Sequence, residues 1–264
     1  MAIALLWEQG TMGIEVRPAG AHDVDVALLA YFSDAPGLEP ALAQALDPLP
    51  RARLQQAEVP DVDWVARFRD AFRTFHAAGF VVTPPWELAG SPVASRDLLV
   101  VDPGRAFGTG THESTRLCLG WLRDLASRGP LGRVLDLGTG SGILAVAAAR
   151  LGARTATAVD LAPEAVAAAR HHARLNAVEL RLVRADLAAA LMPGAFDLVL
   201  ANIASPLLVE RRHEILALGA PAIVLSGLLA TDAETVRAAY ERAGRIELRR
   251  DGEWAALLVQ RGAP

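Results

Sequence analysis

The fold is decided by the stretch Val134-Leu135-Asp136-Leu137-Gly138-Thr139-Gly140-Ser141-Gly142-Ile143-Leu144. A hydrophobic strand runs into a Gly-x-Gly-x-Gly turn, and an alanine-rich helix follows. Glycines at such a turn let the backbone approach a ligand closely, and the first turn of the helix offers free N–H groups. The spacing departs from the dinucleotide pattern Gly-x-Gly-x-x-Gly. A tight strand-to-helix turn explains the glycines equally well, so the interpretation depends on other parts of the chain.

Strand and helix candidates alternate from Leu131 to the C-terminus. The strand candidates are Arg133–Leu137, Thr155–Asp160, Glu179–Val183, Phe196–Ala201, Ala222–Ser226, Arg245–Leu248 and Ala255–Val259. The helix candidates are Ile143–Leu151, Pro163–Asn176, Leu207–Leu218 and Ala233–Ala243. Strands separated by helices form right-handed crossovers, so we predict an α/β, Rossmann-like, doubly wound and mostly parallel seven-stranded sheet. The linker Arg249–Glu253 is too short for a crossover helix and predicts an antiparallel C-terminal hairpin.

The preceding part of the chain is more weakly patterned. The helix candidates there are Ala21–Phe32, Leu38–Leu46 and Val62–Phe75, and the strand candidates are Trp7–Val16 (a glycine-bracketed turn entering a short strand), Phe80–Trp86 and Leu98–Val101. We therefore expect residues 1–60 to form a small α+β domain and residues 61–95 a connector helix and hairpin. Residues 96–264 then form the main domain.

Composition argues against several classes of protein. The 264 residues are 52% hydrophobic and carry a formal net charge of −4, which is unlike a protein that binds nucleic acid or anionic membranes mainly by charge. No apolar run approaches the roughly 18–20 residues that span a bilayer. Met1–Glu8 lacks the basic start of a signal peptide, and Cys118 is the single cysteine. We therefore expect a cytoplasmic protein.

Residue usage also limits the chemistry. All 26 basic residues are arginine, so no lysine is present for a Schiff base or a phosphate-binding loop. The six histidines show no metal-ligand spacing, and we expect no metal site. We expect His171 and His172 to lie on the surface of a helix. Cys118, between two leucines, is expected to pack rather than to react.

Three further segments fall where a ligand of this fold would bind. Asp160 ends the strand after the glycine turn, about 20 residues on, where ribose hydroxyls need an acceptor. Asn202, one of two asparagines in the chain, follows the strand candidate Phe196–Ala201, at the carboxyl end where ligands of open α/β sheets bind. Asp102–Arg116 contains glycines and threonines before a helical run, which predicts a loop that folds over a ligand and then caps a helix. The glycine turn and Asp160 together predict a nucleoside-binding site.

Together these segments resemble the class I S-adenosylmethionine-dependent methyltransferases, and more closely the PrmA-type family that methylates the large-subunit ribosomal protein L-eleven. The residues that carry the resemblance are Asp102-Pro103-Gly104-x-Ala106-Phe107-Gly108-Thr109-Gly110-Thr111-His112-x-x-Thr115, Asp136–Leu144, Asp160 and Ala201-Asn202-Ile203, and Asp63-Trp64 and Ser226-Gly227 also match. The family often has Asp-x-Asp-Pro where this chain has Asp160-Leu161-Ala162-Pro163, so only the first acid carries over. The chain also begins almost at Gly10–Gly13, which the family usually precedes with a strand and a helix. A truncated recognition domain, or a start codon assigned too late, is expected.

The resemblance implies S-adenosylmethionine as the cofactor and a role for each matching residue. It implies that the methionine end is covered by Phe107, Gly108, Thr109, Gly110 and Thr115. It implies that the methionine and ribose are lined by Asp136, Gly138, Gly140 and Gly142. It also implies that Asp160 holds the ribose hydroxyls and that Asn202 faces the methyl group. It further implies a large-subunit ribosomal protein as the substrate, methylated on lysine side chains or its N-terminal amine. Neither a membrane nor a specific nucleic-acid sequence is an implied partner.

Methyl transfer from a sulfonium requires positioning, because a neutral nitrogen lone pair must approach the methyl carbon in line. The amide oxygen of Asn202 and the carbonyls of Ala201 and Ile203 are acceptors for a neutral amine, and we expect Asn202 on the substrate side; a cofactor contact is its alternative role. Other hypotheses are an adenine-N6 or glutamine-N5 methyltransferase, a dehydrogenase and a non-catalytic cofactor-binding module. Asn202-Ile203-Ala204 lacks the prolines and aromatic residue of the Asn-Pro-Pro-Tyr motif that grips planar acceptors.

Overall fold

The structure is a computed structural model that describes residues 6, 11, 13–18, 26–32, 38–47, 49, 54–55, 72–88, 96–103, 110–189 and 191–262. The chain divides into two units, Met1–Val62 and Asp63–Pro264. The described part of the first unit contains an antiparallel pair, β1 (Gly13–Pro18) and β2 (Val26–Tyr31), and the helix α1 (Leu38–Leu46). The predictions of α1 and of a strand after the glycine-bracketed turn are confirmed. The helix predicted over Ala21–Phe32 is wrong over Val26–Tyr31, because pairing with β1 makes this segment a strand and overrides local propensity. Residues 21–25 lie outside the described residues.

The described part of the second unit begins with a small three-stranded sheet. Its strands are β3 (Phe75–Ala77), β4 (Phe80–Thr83) and β5 (Leu98–Val100), with the 3-10 turn Pro85–Glu87 after β4. β3 and β4 form an antiparallel hairpin, whereas β4 and β5 are parallel. Most of the helix predicted over Val62–Phe75 lies outside the described residues. Its last four residues are not helical: residues 72–74 form neither helix nor strand, and Phe75 pairs with Val82 in the hairpin.

The main sheet contains seven strands: β6 (Arg133–Leu137), β7 (Thr155–Asp160), β8 (Arg181–Arg184), β9 (Leu198–Asn202), β10 (Ala222–Leu229), β11 (Arg245–Asp251) and β12 (Trp254–Gln260). Their order across the sheet is β11-β12-β10-β9-β6-β7-β8. The strands β6 to β10 are mutually parallel, and β12 runs antiparallel to both β10 and β11. The predicted doubly wound sheet and its C-terminal hairpin are confirmed.

Helices cover both faces of this sheet. They are α2 (Glu113–Arg128), α3 (Ile143–Arg150), α4 (Pro163–Leu175), α5 (Ser205–Glu210), α6 (Arg212–Ala217) and α7 (Ala233–Tyr240). Alternate side chains of β9 point to opposite faces. Leu198 and Leu200 pack in the core that contains α2 and α3, and Val199 and Ala201 pack in the core that contains α5, α6 and α7.

The helix predicted over Leu207–Leu218 is in fact two short helices that meet at Arg211. Arg211 donates to Glu214 at 2.6 Å and to Asp186 at 3.1 Å, which fixes the chain at the break. No helix in the described ranges is long and apolar enough to cross a membrane.

The sheet order reverses between β6 and β9, and this reversal places the candidate site. In open α/β sheets, ligands bind beyond the carboxyl ends of the strands at such a switch point. Gly138 follows β6 directly, Asn202 is the last residue of β9, and Asp160 is the last residue of β7. The fold therefore brings three of the sequence motifs to one edge of the sheet.

Candidate functional site

The glycine turn between β6 and α3 has a backbone that favours glycine at three positions. Gly138, Gly140 and Gly142 have φ angles of 66°, 53° and 85°, in the left-handed region where a Cβ is unfavourable. The N–H of Thr139 donates to the carbonyl of Val159 at 3.0 Å, and the N–H of Gly142 donates to that of Thr139 at 2.9 Å. The turn is thus held both to β7 and to itself.

Two of these glycines also permit close packing within the protein. A Cβ on Gly138 would lie 2.5 Å from Cγ2 of Ile203, and a Cβ on Gly142 would lie 2.7 Å from Cβ of Ala169. Gly138 therefore makes room for the segment after β9, and Gly142 lets α3 and α4 approach. The sequence interpretation attributed these glycines to a ligand, and the structure adds a packing reason.

Asp160 is held by the backbone but keeps acceptor capacity. Its Oδ2 accepts from the N–H of Gly140 at 2.9 Å, and its Oδ1 accepts from the N–H of Ala162 at 3.0 Å. An ionised carboxylate offers about four lone-pair positions, so each oxygen can accept one further donor. The half-buried side chain therefore fits the role of an acceptor for paired hydroxyls beside the glycine turn.

Asp136 lies beneath the same turn and is buried. Its Oδ2 accepts from the hydroxyl of Thr139 at 2.5 Å and from the N–H of Ala145 at 3.2 Å. Burial raises the pKa of Asp136 to about 6; these two hydrogen bonds oppose the rise, and the charge of Asp160 adds to it. The two acids give the turn a negative potential, which is complementary to a cationic ligand.

Asn202 contacts the first turn of α2. Its Nδ2 donates to Oγ1 of Thr115 at 3.3 Å, and Thr115 is fully buried. The Oδ1 atom of Asn202 is buried and has no hydrogen-bond partner among the described residues. Next to it in the sheet, Ser226 donates its hydroxyl to the carbonyl of Ser114 at 3.1 Å. A buried amide oxygen without a partner is costly, so this atom fits a ligand donor.

The two backbone carbonyls that the sequence offered as further acceptors are placed differently. Ala201 lies inside the ladder, opposite Leu137 on one side and Leu225 on the other. The carbonyl of Ile203 lies against Gly227, where a Cβ would come within 2.5 Å of its oxygen. The Asn202 side chain is therefore the acceptor of this segment that best fits a ligand.

The predicted glycine-threonine loop is described only at its ends. Phe107, Gly108 and Thr109 lie outside the described residues. Gly110 has a φ of 91°, and a Cβ there would lie 2.9 Å from Cδ1 of Ile143, so it packs against the start of α3. The predicted helix cap is confirmed, because Nδ1 of His112 accepts from the N–H of Ser114 at the start of α2.

Sequence reasoning missed a pair of buried polar side chains, one in α4 and one directly after it. His172 is only 4% exposed, so the prediction of a surface residue is wrong for it, although His171 is exposed as predicted. Asn176 is 1% exposed. The signal available in the sequence was the spacing of four residues between His172 and Asn176, one of the two asparagines in the chain. No group of three or more metal-binding side chains occurs in the described part of the chain.

The reversed parallel sheet, the glycine turn and the acids beside it define a class I S-adenosylmethionine-dependent methyltransferase. Comparison with known sequences narrows this class. Residues 8–262 match the profile of the family described as "Ribosomal protein L11 methyltransferase (PrmA)", and the chain belongs to that family. The resemblance found in the sequence is confirmed.

Individual relatives support the same assignment. A Ribosomal protein L11 methyltransferase from Myxococcus xanthus is 34% identical over 97% of this chain and 92% of its own length. One from Geobacter sulfurreducens is 39% identical over 91% of this chain and 84% of its own length. The protein in the crystal structure of a ribosomal protein L11 methylase from Lactobacillus delbrueckii subsp. bulgaricus shares 31% sequence identity with this chain, and the two structures have a TM-score of 0.63. The match covers 72% of this chain and 100% of the other.

Proposed function

We propose that this protein transfers methyl groups from S-adenosylmethionine to amino groups of ribosomal protein L11, on lysine side chains, the N-terminal amine or both. The relatives named above carry that substrate in their names. The observation that carries the proposal is the buried Oδ1 of Asn202, which has no partner among the described residues and lies at the switch point of the sheet.

The cofactor is assigned to the residues around the glycine turn. The free acceptor positions of Asp160 suit the two ribose hydroxyls, and the negative potential from Asp136 and Asp160 suits a cation. Gly138, Gly140 and Gly142 form the backbone surface beside them, and Gly110 and Thr115 lie at the start of α2. We keep Phe107, Gly108 and Thr109 as proposed contacts to the methionine end. When bound, S-adenosylmethionine supplies an electrophilic methyl carbon on a sulfonium.

Asn202 is proposed to orient the acceptor nitrogen. Its amide is fixed by donating Nδ2 to Thr115, which leaves Oδ1 to accept an N–H of the incoming amine. A nitrogen held by one N–H has its lone pair restricted to a narrower set of directions, which favours the alignment that in-line transfer needs. The amide dipole also stabilises positive charge as it develops on that nitrogen.

The acceptor must arrive without its proton. A lysine amine with a pKa near 10.4 costs roughly 4–5 kcal/mol to neutralise at pH 7. A carboxylate at this position would stabilise the charged ammonium form of the amine, whereas a neutral amide oxygen stabilises that form much less. Asn202 therefore suits amine methylation better than an acid at the same position would.

The proposal extends to partners and location. We propose residues 1–60 as the part that recognises the protein substrate, residues 61–95 as the connector and residues 96–264 as the methyltransferase domain. The reaction is placed in the cytoplasm, where ribosomal proteins are made. Binding to a specific nucleic-acid sequence is not part of the proposed activity, in keeping with the net charge of −4.

The experiment is transfer of labelled methyl groups to purified ribosomal protein L11, with the modified residues located by mass spectrometry. We expect label on lysine side chains or on the N-terminal amine of that protein. Label on adenine or on glutamine would instead support the alternative methyltransferases. Cofactor binding without transfer to L11 or to any other ribosomal protein would favour the non-catalytic module.

A further inference from the structure

Side chains at the C-terminal end of α4 hold the last residue of β5 and the segment after it. His172 lies in α4 and Asn176 directly follows α4, and with a spacing of four residues the two share one face. Asn176 Oδ1 accepts from the N–H of Val100 at 2.8 Å, and its Nδ2 donates to the carbonyl of Val100 at 2.7 Å. Nε2 of His172 lies 3.0 Å from the backbone nitrogen of Asp102 and accepts its N–H. These two residues thus bond the backbone of Val100 and Asp102 much as a neighbouring strand would.

His172 makes a second bond on its other side. Its Nδ1 lies 2.7 Å from the carbonyl oxygen of Ser141, which is in the glycine turn between Gly140 and Gly142. Nε2 also lies 3.1 Å from the carbonyl oxygen of Asp102. In the neutral ring whose Nε2 accepts the N–H of Asp102, Nδ1 carries the proton and donates to Ser141. One buried ring therefore joins the glycine turn to the segment that leads into the predicted loop.

We propose that His172 is a positioning residue of the cofactor site, which fixes the glycine turn through Ser141 against the segment held by Asn176. This inference rests on the assignment of S-adenosylmethionine to the glycine turn. Ser141 is 1% exposed, so loss of the imidazole removes a partner from a buried carbonyl and lets the turn relax. Because Gly140 in that turn donates to Asp160, a relaxed turn also displaces the proposed ribose acceptor.

Protonation of His172 changes this arrangement. A protonated Nε2 becomes a donor, so it loses the N–H of Asp102 and faces the carbonyl oxygen of Asp102, 3.1 Å away. Burial lowers the pKa of His172, and a charge on the neighbouring His171 would lower it further. The hydrogen bonds to Ser141 and Asp102 and the charge of Asp102 oppose this shift. His171 and Asp102 are the charged groups acting on the ring, and Nε2 of His171 lies 3.1 Å from Oδ2 of Asp102. Cofactor affinity should therefore fall as the pH drops below the ordinary histidine range.

The test uses substitutions that each keep one of the two bonds. His172→Asn places an amide nitrogen near the position of Nδ1, so it keeps the bond to Ser141 and loses Asp102. His172→Gln reaches the position of Nε2 and keeps the bond to Asp102 alone. We expect each to raise the dissociation constant for S-adenosylmethionine about tenfold in calorimetry at pH 7.5, the effect of losing about 1.4 kcal/mol. His213→Asn, at an exposed histidine of α6, is the matched control and should bind as the wild type does.

A pH series separates positioning from general destabilisation. Between pH 7.5 and pH 5.5 the wild-type dissociation constant should rise, partly through His172 and partly through Asp136. His172→Gln should remove the first part, whereas His171→Gln should retain it. Urea unfolding of each variant identifies those that fold. If a His172 variant does not fold, the pH profiles of the wild type and of His171→Gln can still be compared with each other.

The outcomes are distinct. Wild-type affinity in both His172 variants, or a pH dependence that disappears in His171→Gln and persists in His172→Gln, would overturn the inference and leave the proposed function intact. Absence of S-adenosylmethionine binding by the wild-type protein would overturn the cofactor assignment and this inference together.

Discussion

The amide nitrogen of Asn202 lies 3.3 Å from the hydroxyl oxygen of Thr115, although the two residues are 87 positions apart in the chain. This bond joins the carboxyl end of β9 to the first turn of α2. It also decides which way the amide of Asn202 faces, because Nδ2 is engaged and Oδ1 is left without a partner among the described residues. The orientation of the proposed acceptor thus depends on a helix whose start follows the glycine-threonine loop.

Removing the amide should impair transfer more than binding. We expect Asn202→Ala to lower kcat for methylation of ribosomal protein L11 by about 100-fold, because an oriented acceptor is lost. The dissociation constant for S-adenosylmethionine, measured by calorimetry, should change less than fivefold on the same reasoning. Thr115→Val keeps the shape of the side chain and removes only the hydroxyl, so it should lower kcat by about tenfold. An equal loss of affinity and of rate in Asn202→Ala would place Asn202 on the cofactor alone.

Asp160 should contribute more to cofactor affinity than to stability. Asp160→Asn keeps the size of the side chain but replaces one of two oxygens, each of which accepts a backbone N–H, by an amide nitrogen. We expect the binding free energy of S-adenosylmethionine to weaken by roughly 1–3 kcal/mol and the urea midpoint to fall only slightly. Glu164→Gln, at an exposed acid in the first turn of α4, is the control and should bind normally. Unchanged affinity in Asp160→Asn would remove this residue from the site.

A methyl group at Gly138 should disturb the segment after β9. Gly138 and Gly152 both have positive φ angles, of 66° and 88°, so alanine at either position costs about 1–2 kcal/mol of backbone strain. Only the Cβ at Gly138 meets Ile203, whereas nothing lies within 4 Å of a Cβ at Gly152. Gly138→Ala should therefore lose more unfolding free energy than Gly152→Ala and should also lower methyl transfer. Equal unfolding free energies would show that Ile203 moves aside without cost.

The buried Asp136 should make stability depend on pH in an unusual direction. Its pKa of about 6 lies above the ordinary value of 3.8, so the folded protein retains a proton that the unfolded chain releases. Stability therefore decreases as the pH rises through this window, by a total of about 3 kcal/mol. Asp136→Asn lacks this titration. The unfolding free energies of Asp136→Asn and of the wild type are measured by urea titration at pH 4 and pH 7. From pH 4 to pH 7 the variant should gain stability relative to the wild type. A constant difference would contradict the raised pKa.

The absence of lysine gives a test of acceptor chemistry. All 26 basic residues are arginine, so this chain offers itself no ε-amine. Pure enzyme incubated with labelled cofactor should show almost no acid- and base-stable labelling, because only its α-amino group is available. Addition of ribosomal protein L11 should give strong labelling of that partner. Strong self-labelling without a partner would indicate an acceptor other than an amine.

The repeated strand–helix pattern was sufficient to predict the main sheet, because the parallel strands β6, β7, β9 and β10 are short runs of mostly buried residues, whereas the edge strand β8 is only partly buried. The bounds of β6, β7 and α1 match the predictions at both ends. Prediction failed where partners decide the state. Val26–Tyr31 is a strand because it pairs with β1, and no helical or strand period in that segment indicates this partner.

The sequence by itself determined the sheet, the glycine turn and the positions of Asp160 and Asn202, because strand ends and crossover lengths place these residues at one edge. Only the tertiary structure decided how they are held. The bond from Asn202 to Thr115, the contact of Gly138 with Ile203 and the burial of His172 against Ser141 all join segments far apart in the chain. Periodicity reports which face of an element is apolar, but a buried polar side chain is fixed by the donors and acceptors that folding brings to it.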